Sequence, residues 1–506
     1  MRVRVGRRDL LRASSAMLLA GCAPVRRCAE VSGGPRPEPI WGVQSGDVTA
    51  SSAVLWARSD RPARMTIGWA HDATFRDETI VEGPAVGPET DFIGKVRIDD
   101  LHTRGGKIHY RIRFDRSPWA VGSFRAAPVA AADVTFAWSG DVNGQGWGID
   151  PAHGGMPAFT ALVDAAPDLF LHCGDAIYAD NPIPPSLPLA GGTWNNLQLE
   201  PLKAHVAETL DDYRAAHRYG RRSPEVQAAS ATIPTFHVWD DHDVRNNWFP
   251  TEVLEDPAYH ERRIDVLAQA ARQAFHEYTP TLRRPDEKMY RVVHWGPLVD
   301  FFFLDGRSYR TPNAPAPADA AFFGKLQTAW LLEELAASKA VWKVVVADMP
   351  LGIVCSDLGR GGKLENDAVG NGVKGVPVER EVELASLLSG MKARGVKNAV
   401  WVTAELHYCA AHRYDPARAV FKDFDPFWEL VAGPLHSTMF PRKPADETFG
   451  PEVTWANVDW DRTGGPSDRS TQTFGLVRID AKTRAFEVRW IDASGSVLHR
   501  LLIDPV

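Results

Sequence analysis

Hydrophobic positions fall into two textures along the chain. From Trp41 to about Pro128, apolar and polar residues alternate in short runs, SSAVLWARS, ARMTIGWA, KVRIDDL, KIHYRIRF and GSFRAA, separated by turn-forming residues. Alternation with a period of two marks half-buried strands, and regular spacing of such strands predicts a small β-sandwich. After Val129 near-continuous apolar runs take over: VTFAW (134–138), DLFLHC (168–173), TFHVW (235–239), LVDFFFL (298–304), WKVVVA (342–347) and NAVWVTA (398–404). Runs this apolar suit a sheet covered on both faces. Between them lie helical stretches such as KLQTAWLLEELAASK (325–339) and VEREVELASLLSGMKAR (378–394), so the second region is expected to be an α/β layered domain spanning 129–506. The segment FGLVRIDAKTRAFEVRWID (474–492) reads as a hairpin. Pro- and Gly-rich loops at 180–201 and 352–377 have the length of functional rims or lids.

Each core run ends in ionisable or polar residues. Asp141 follows the first, Asp175 and Tyr178 the second, Asp240, Asp241, His242 and Asp243 the third. Asp305 and Arg307 follow the fourth, Asp348 the fifth, Glu405 and His407 the sixth. The carboxyl edge of an open α/β sheet is where ligands bind. One such aspartate is a turn or a helix cap, but six runs ending this way are hard to explain as caps. Carboxylates this close repel one another unless positive charge sits among them. Hard oxygen donors with imidazole suit a site for two or more metal ions. Arg307 offers a fork that matches phosphate or, equally, a salt bridge to Asp305 or a neighbour. Asn246 is a candidate substrate-binding or helix-capping residue.

Composition narrows the field. The chain has 506 residues, 44% of them apolar, with a formal net charge of −7, which argues against a nucleic-acid-binding patch. Residues 1–22 carry adjacent Arg7 and Arg8, a short apolar stretch and Leu19-Ala20-Gly21-Cys22. They resemble a twin-arginine (Tat) export signal ending in a lipoprotein box, with Cys22 the lipid-anchor candidate. The expected location is periplasmic or on the cell envelope, with the Tat machinery as partner and membrane contact only through the anchor. A Pro/Gly-rich tether occupies 23–39 and the β-sandwich 40–128. The five cysteines form no CxxC pair, and Cys173 and Cys409 read as small core residues.

WSGDVNGQGWGID, HCGDAIYAD, WDDHDVRNNW, LDGRSYR, GKLQTAWL and AELHYCAAHRYDP, in this order, resemble the PhoD-like (alkaline phosphatase D) branch of the metallophosphoesterases. GVQSGDVTASSAVLWAR (42–58) resembles that family's N-terminal domain. The resemblance covers about 40–506 and implies a four-layer αββα core preceded by the sandwich. It implies Asp175 as bridging ligand, Asp141 on a first metal, Asp241 on a second, Tyr178 as a metal-bound tyrosine, and Glu405 and His407 as the equivalent of an Asp-x-His pair. Asp240 would sit behind Asp241. His242 would stabilise the transition state or protonate the leaving oxygen. Iron and calcium are the ions implied, with manganese or zinc as alternatives.

Three positions depart from the family pattern: Gly140 stands where Cys often ligates iron, Glu405 replaces Asp, and Asn143 stands where the superfamily has a ligating histidine. Asn143 is therefore a candidate ligand or substrate-binding amide. The implied activity is hydrolysis of phosphodiesters, phosphomonoesters or both by a metal-bound hydroxide, on a small phosphate ester or a phospholipid. The alternatives are a phospholipase acting on head groups and a degenerate member that binds an anion without turnover.

Overall fold

The computed structural model describes residues 35–506 apart from 103–105, 190, 198–200, 314–316, 318, 359–363, 462, 466 and 467. The segment expected to be an export signal, Cys22 and most of the expected tether lie outside the described residues.

The alternating first region forms two antiparallel sheets. One joins Pro39–Gly46, Ala53–Ser59 and Ile93–Ile98; the other joins Thr79–Val86, Ala63–Ala70, Lys107–Phe114 and Ala120–Arg125. Lys107–Phe114 (KIHYRIRF) buries Ile108, Tyr110, Ile112 and Phe114 and leaves the intervening residues partly exposed, as period-two alternation requires.

The second region builds two larger sheets. The six-stranded sheet runs Thr235–Val238, Leu169–Cys173, Val134–Ser139, Thr473–Ile479, Phe486–Asp492, Val497–Ile503. Its first three strands are parallel and its last three antiparallel. The seven-stranded sheet runs Arg291–Trp295, Val299–Phe303, Trp342–Val346, Ala399–Thr403, Phe427–Val431, Ala410–Tyr414, Glu452–Ala456, with a parallel centre. Facing residues of the two sheets, among them Phe136, Trp138, Leu171, Phe301, Val344, Val402 and Trp490, share one core. Helices Pro157–Ala165 and Pro224–Thr232 pack against the outer face of the first sheet. Lys325–Ala337 and Arg380–Ala393 cover the outer face of the second. The result is the expected αββα layering.

Leu210–Arg221 and Ile264–Tyr278 pair through Tyr213, Ala216, Leu267, Ala271 and Phe275. The first of these helices starts at a capping box in which Thr209 and Asp212 exchange hydrogen bonds.

Residues 37–506 form one compact unit. Sandwich residues Leu55, Ile67 and Phe124 belong to the same continuous core as the larger sheets. The junction also carries a buried charge clamp. Asp91 accepts from Arg58 at 2.8 Å and from Arg218 at 2.9 Å, and the Tyr278 hydroxyl donates to it as well. Burial pushes the Asp91 carboxyl up, but Arg58, Tyr278 and Arg218 outweigh it and hold the group below its ordinary value.

Asp91→Ala strips two arginines of their shared partner and is expected to cost about 3 kcal/mol or more, read as a fall in Tm. Because the folded pKa lies below the unfolded value of about 3.9, the clamp contributes fully above that pH. The advantage of the wild type over Asp91→Asn is expected to shrink as pH falls through the folded value.

Candidate metal centre

The parallel strands of both sheets deliver their carboxyl ends to one place. Three of these strands, Val134–Ser139, Leu169–Cys173 and Ala399–Thr403, stop in turns with left-handed backbone: φ is 62° at Asp141, 48° at Asp175, 40° at Glu405 and 56° at His407. Non-glycine residues seldom adopt this region, and such positions cluster at functional sites.

Asp141, Asp175, Glu405 and His407 each present a ligand atom within 4.8 Å of the others; so do Asp175, Asp241 and His242, and so do Asp240, Asp241 and Glu405. Both carboxylate oxygens of Asp141 and one each of Asp175 and Asp240 are buried without a hydrogen-bond partner. Burial and the neighbouring charge of Asp241 raise the Asp141 and Asp175 carboxyls well above the ordinary range. Burial, Asp240 and Asp241 do the same to Glu405. Unsatisfied buried oxygens with mutually raised pKa values are what a carboxylate set shows when its counter-charge is a cation. The donor set fits two or more metal ions, with Asp175, Asp241 and Glu405 each shared between two of the groups.

The two histidines are tuned in opposite directions. His407 Nδ1 lies 2.6 Å from the Thr438 carbonyl and so carries the proton, leaving Nε2 3.5 Å from Asp141 and 3.1 Å from the Tyr178 hydroxyl. Burial lowers its pKa to about 4, so it is neutral, as a ligand must be. His242 Nδ1 lies 2.6 Å from Asp180. Burial alone would lower its pKa, but Asp180 and Asp241 more than reverse this, to about 9. Tyr178 points into the same space, where burial and Asp175 raise its phenol and Ser437 donates to its oxygen at 3.1 Å.

Arg307 is 0% exposed. Its Nε donates to Asp240 at 2.6 Å and its Nη1 to Asp367 at 3.0 Å. Nη2 makes no hydrogen bond and lies 3.9 Å from Asp241 and 3.8 Å from Glu405. Arg310 pairs with the same Asp367 at 2.5 Å. The ion-pair reading of Arg307 therefore holds on two of its three edges, with Asp240 and Asp367 rather than Asp305 as partners. Burial pushes Asp241 up, but Arg307 and His242 outweigh it and keep that carboxyl low.

Two expected residues stand apart from the cluster. Asn246 is exposed and contributes its backbone N–H to Asp180 at 3.0 Å. Asn143, at φ 74°, turns its amide away, donates to the Ala176 carbonyl at 2.8 Å and packs on Gly220. It occupies the ligand position in sequence but not in space. At Gly140 a Cβ would lie 2.9 Å from the Gly174 carbonyl and 3.0 Å from Ala404, so a side chain needs those neighbours to move. Asp180, Asp367 and Arg310 received no role from sequence reasoning. Asp180 lies inside HCGDAIYAD, but its partner His242 is 62 positions away.

The PhoD-like phosphatase family matches residues 136–490, and the PhoD-like phosphatase N-terminal domain matches residues 28–128. The chain belongs to the PhoD-like phosphatase family. Alkaline phosphatase D of Bacillus subtilis (strain 168) is 27% identical over 400 residues, which cover 72% of this chain and 64% of that protein, just under two thirds of its length. A solved PhoD structure superposes with a TM-score of 0.67 at 20% identity, over 94% of this chain and 90% of that one. The purple acid phosphatase PPD1 from yellow lupin (Lupinus luteus) seeds gives 0.54 at 12% identity, over 92% and 74%. These two structures share the fold.

Asp175→Asn removes a carboxylate common to two of the ligand groups and is expected to lower bound metal by at least one ion per chain, measured by elemental analysis. Asn246→Ala is expected to keep the full complement.

Proposed function

We propose that this PhoD-like protein is an exported metal-dependent phosphoesterase that hydrolyses phosphodiesters, phosphomonoesters or both. The observation that supports it best is the buried group of Asp141, Asp175, Asp241, Glu405 and His407, with partnerless oxygens on Asp141 and Asp175. Cations held there would polarise a phosphoryl oxygen and acidify a coordinated water.

The chain's own residues supply the rest. His242 keeps a proton to high pH because Asp180 holds its Nδ1. Nε2 is then the nitrogen left to deliver a proton to the leaving oxygen, and a pKa of about 9 suits an acid working under alkaline conditions. Splitting two imidazoles to about 4 and about 9 separates a ligand from an acid within one site. Arg307 fixes Asp240 and spreads positive charge towards Asp241 and Glu405, which positions ligands rather than clamping substrate. The Tat-type leader with Cys22 supports export and anchoring of the folded enzyme at the cell envelope.

The test is hydrolysis of bis(p-nitrophenyl) phosphate and p-nitrophenyl phosphate by metal-loaded wild type and Asp175→Asn. The wild type is expected to turn over at least one of the two, and the variant to lose about 100-fold or more. Equal inertness of both proteins with iron, calcium, manganese and zinc would contradict the reading.

Asp180→Asn removes the charge that raises the His242 pKa. The alkaline limb of the kcat profile is expected to move to lower pH, with about a 10- to 100-fold loss above it. An unmoved limb would take His242 out of the acid role.

A further inference from the structure

A cavity of about 80 Å³ lies between strands Leu169–Cys173 and Thr235–Val238 and the helices Pro157–Ala165, Leu210–Arg221 and Pro224–Thr232. Its polar lining is unbalanced. Arg221 is 9% exposed, and its Nε and Nη2 have no hydrogen-bond partner; only Nη1 is used, donating to Ser230 at 2.8 Å. His172, 6% exposed, also has a partnerless Nδ1. His237 stacks on His172 with ring centroids 5.2 Å apart, and His217 stacks on Tyr278 at 5.1 Å. Among the described residues no carboxylate lines the cavity.

An arginine cannot shed its proton at ordinary pH. A buried guanidinium without an anion costs several kcal/mol. The Trp56 ring 5.0 Å away and the carbonyl end of its own helix offset part of this. Neither satisfies the two free N–H edges. The three histidines are kept neutral by burial, with pKa about 4 at His172, about 3 at His217 and well below the ordinary value at His237. The net charge of the lining is therefore one positive.

We propose that this cavity binds one monovalent inorganic anion of halide size, held by Arg221 Nε–H and Nη2–H and by a His172 ring N–H. A single negative charge neutralises the site, whereas a phosphate dianion would leave a surplus buried charge. The volume admits a halide and a water or two, at about 30 Å³ per molecule. The Asn143 oxygen, the acceptor with no partner here, suits such a water, and the absent side chain of Gly220 makes room for that amide. Asn143 lies two residues after Asp141, and His172 three before Asp175. The ion thus buttresses both ligand-bearing turns from behind.

The test is diffraction from crystals of the full protein soaked in sodium bromide, with data at the bromine edge. The expected result is an anomalous peak within hydrogen-bonding reach of Arg221 in the wild type and none in Arg221→Met. In solution, replacing gluconate by chloride at constant ionic strength is expected to raise the wild-type Tm by about 1–2 °C and to leave the variant unmoved. If the variant fails to fold, the wild-type peak and chloride response decide alone. Water density without anomalous signal, or a Tm indifferent to chloride, overturns the assignment.

Discussion

Mutual repulsion among buried carboxylates is the constraint around which this molecule is arranged. Asp141, Asp175, Asp240, Asp241 and Glu405 arrive from both sheets at one low-dielectric point. Neutral water cannot compensate them there, and the protein compensates only one side. Arg307 and Arg310 form ion pairs with Asp240, Asp348 and Asp367, while among the described residues no arginine or lysine pairs with Asp141 or Asp175. The asymmetry divides the site into a rigid half, closed by guanidinium groups, and an open half that needs cations.

The fold supplies the rigidity that such crowding requires. Parallel strands anchored in a shared two-sheet core cannot retreat, so the strain falls on the turns, whose backbones are left-handed at four ligand positions. The sandwich extends that core, and Asp91 ties it to the helices carrying Arg218 and Tyr278.

Much of this was legible in the chain. All six apolar runs became strands with a parallel neighbour, in sheets covered on both faces, an environment that continuous Val, Phe and Leu stretches suit. The acidic residues after them converge because a parallel sheet puts its carboxyl ends on one edge. The strands that went unread hide buried polar pairs. Ala410–Tyr414 and Phe427–Val431 place His412 opposite Glu429, hydrogen-bonded at 2.9 Å, so each run is interrupted by a buried ionisable residue. Asn143 misled for a related reason: spacing from Asp141 says nothing of side-chain direction when the backbone is left-handed at both residues. Asp180 and Asp367 were silent because their partners are distant in sequence.

The most direct test of the account is the number of protons released when the apoprotein binds metal at neutral pH. Calorimetric titration with manganese or calcium in buffers of different ionisation enthalpy measures it. Burial and neighbouring carboxylates raise the carboxyls of Asp141, Asp175 and Glu405, which favours their protonated forms, and a cation bound among them favours the ionised forms. The account predicts net release of at least about one proton per chain. Tight binding with no proton release would mean that these carboxylates were already ionised and balanced, and that no uncompensated charge awaits a cation.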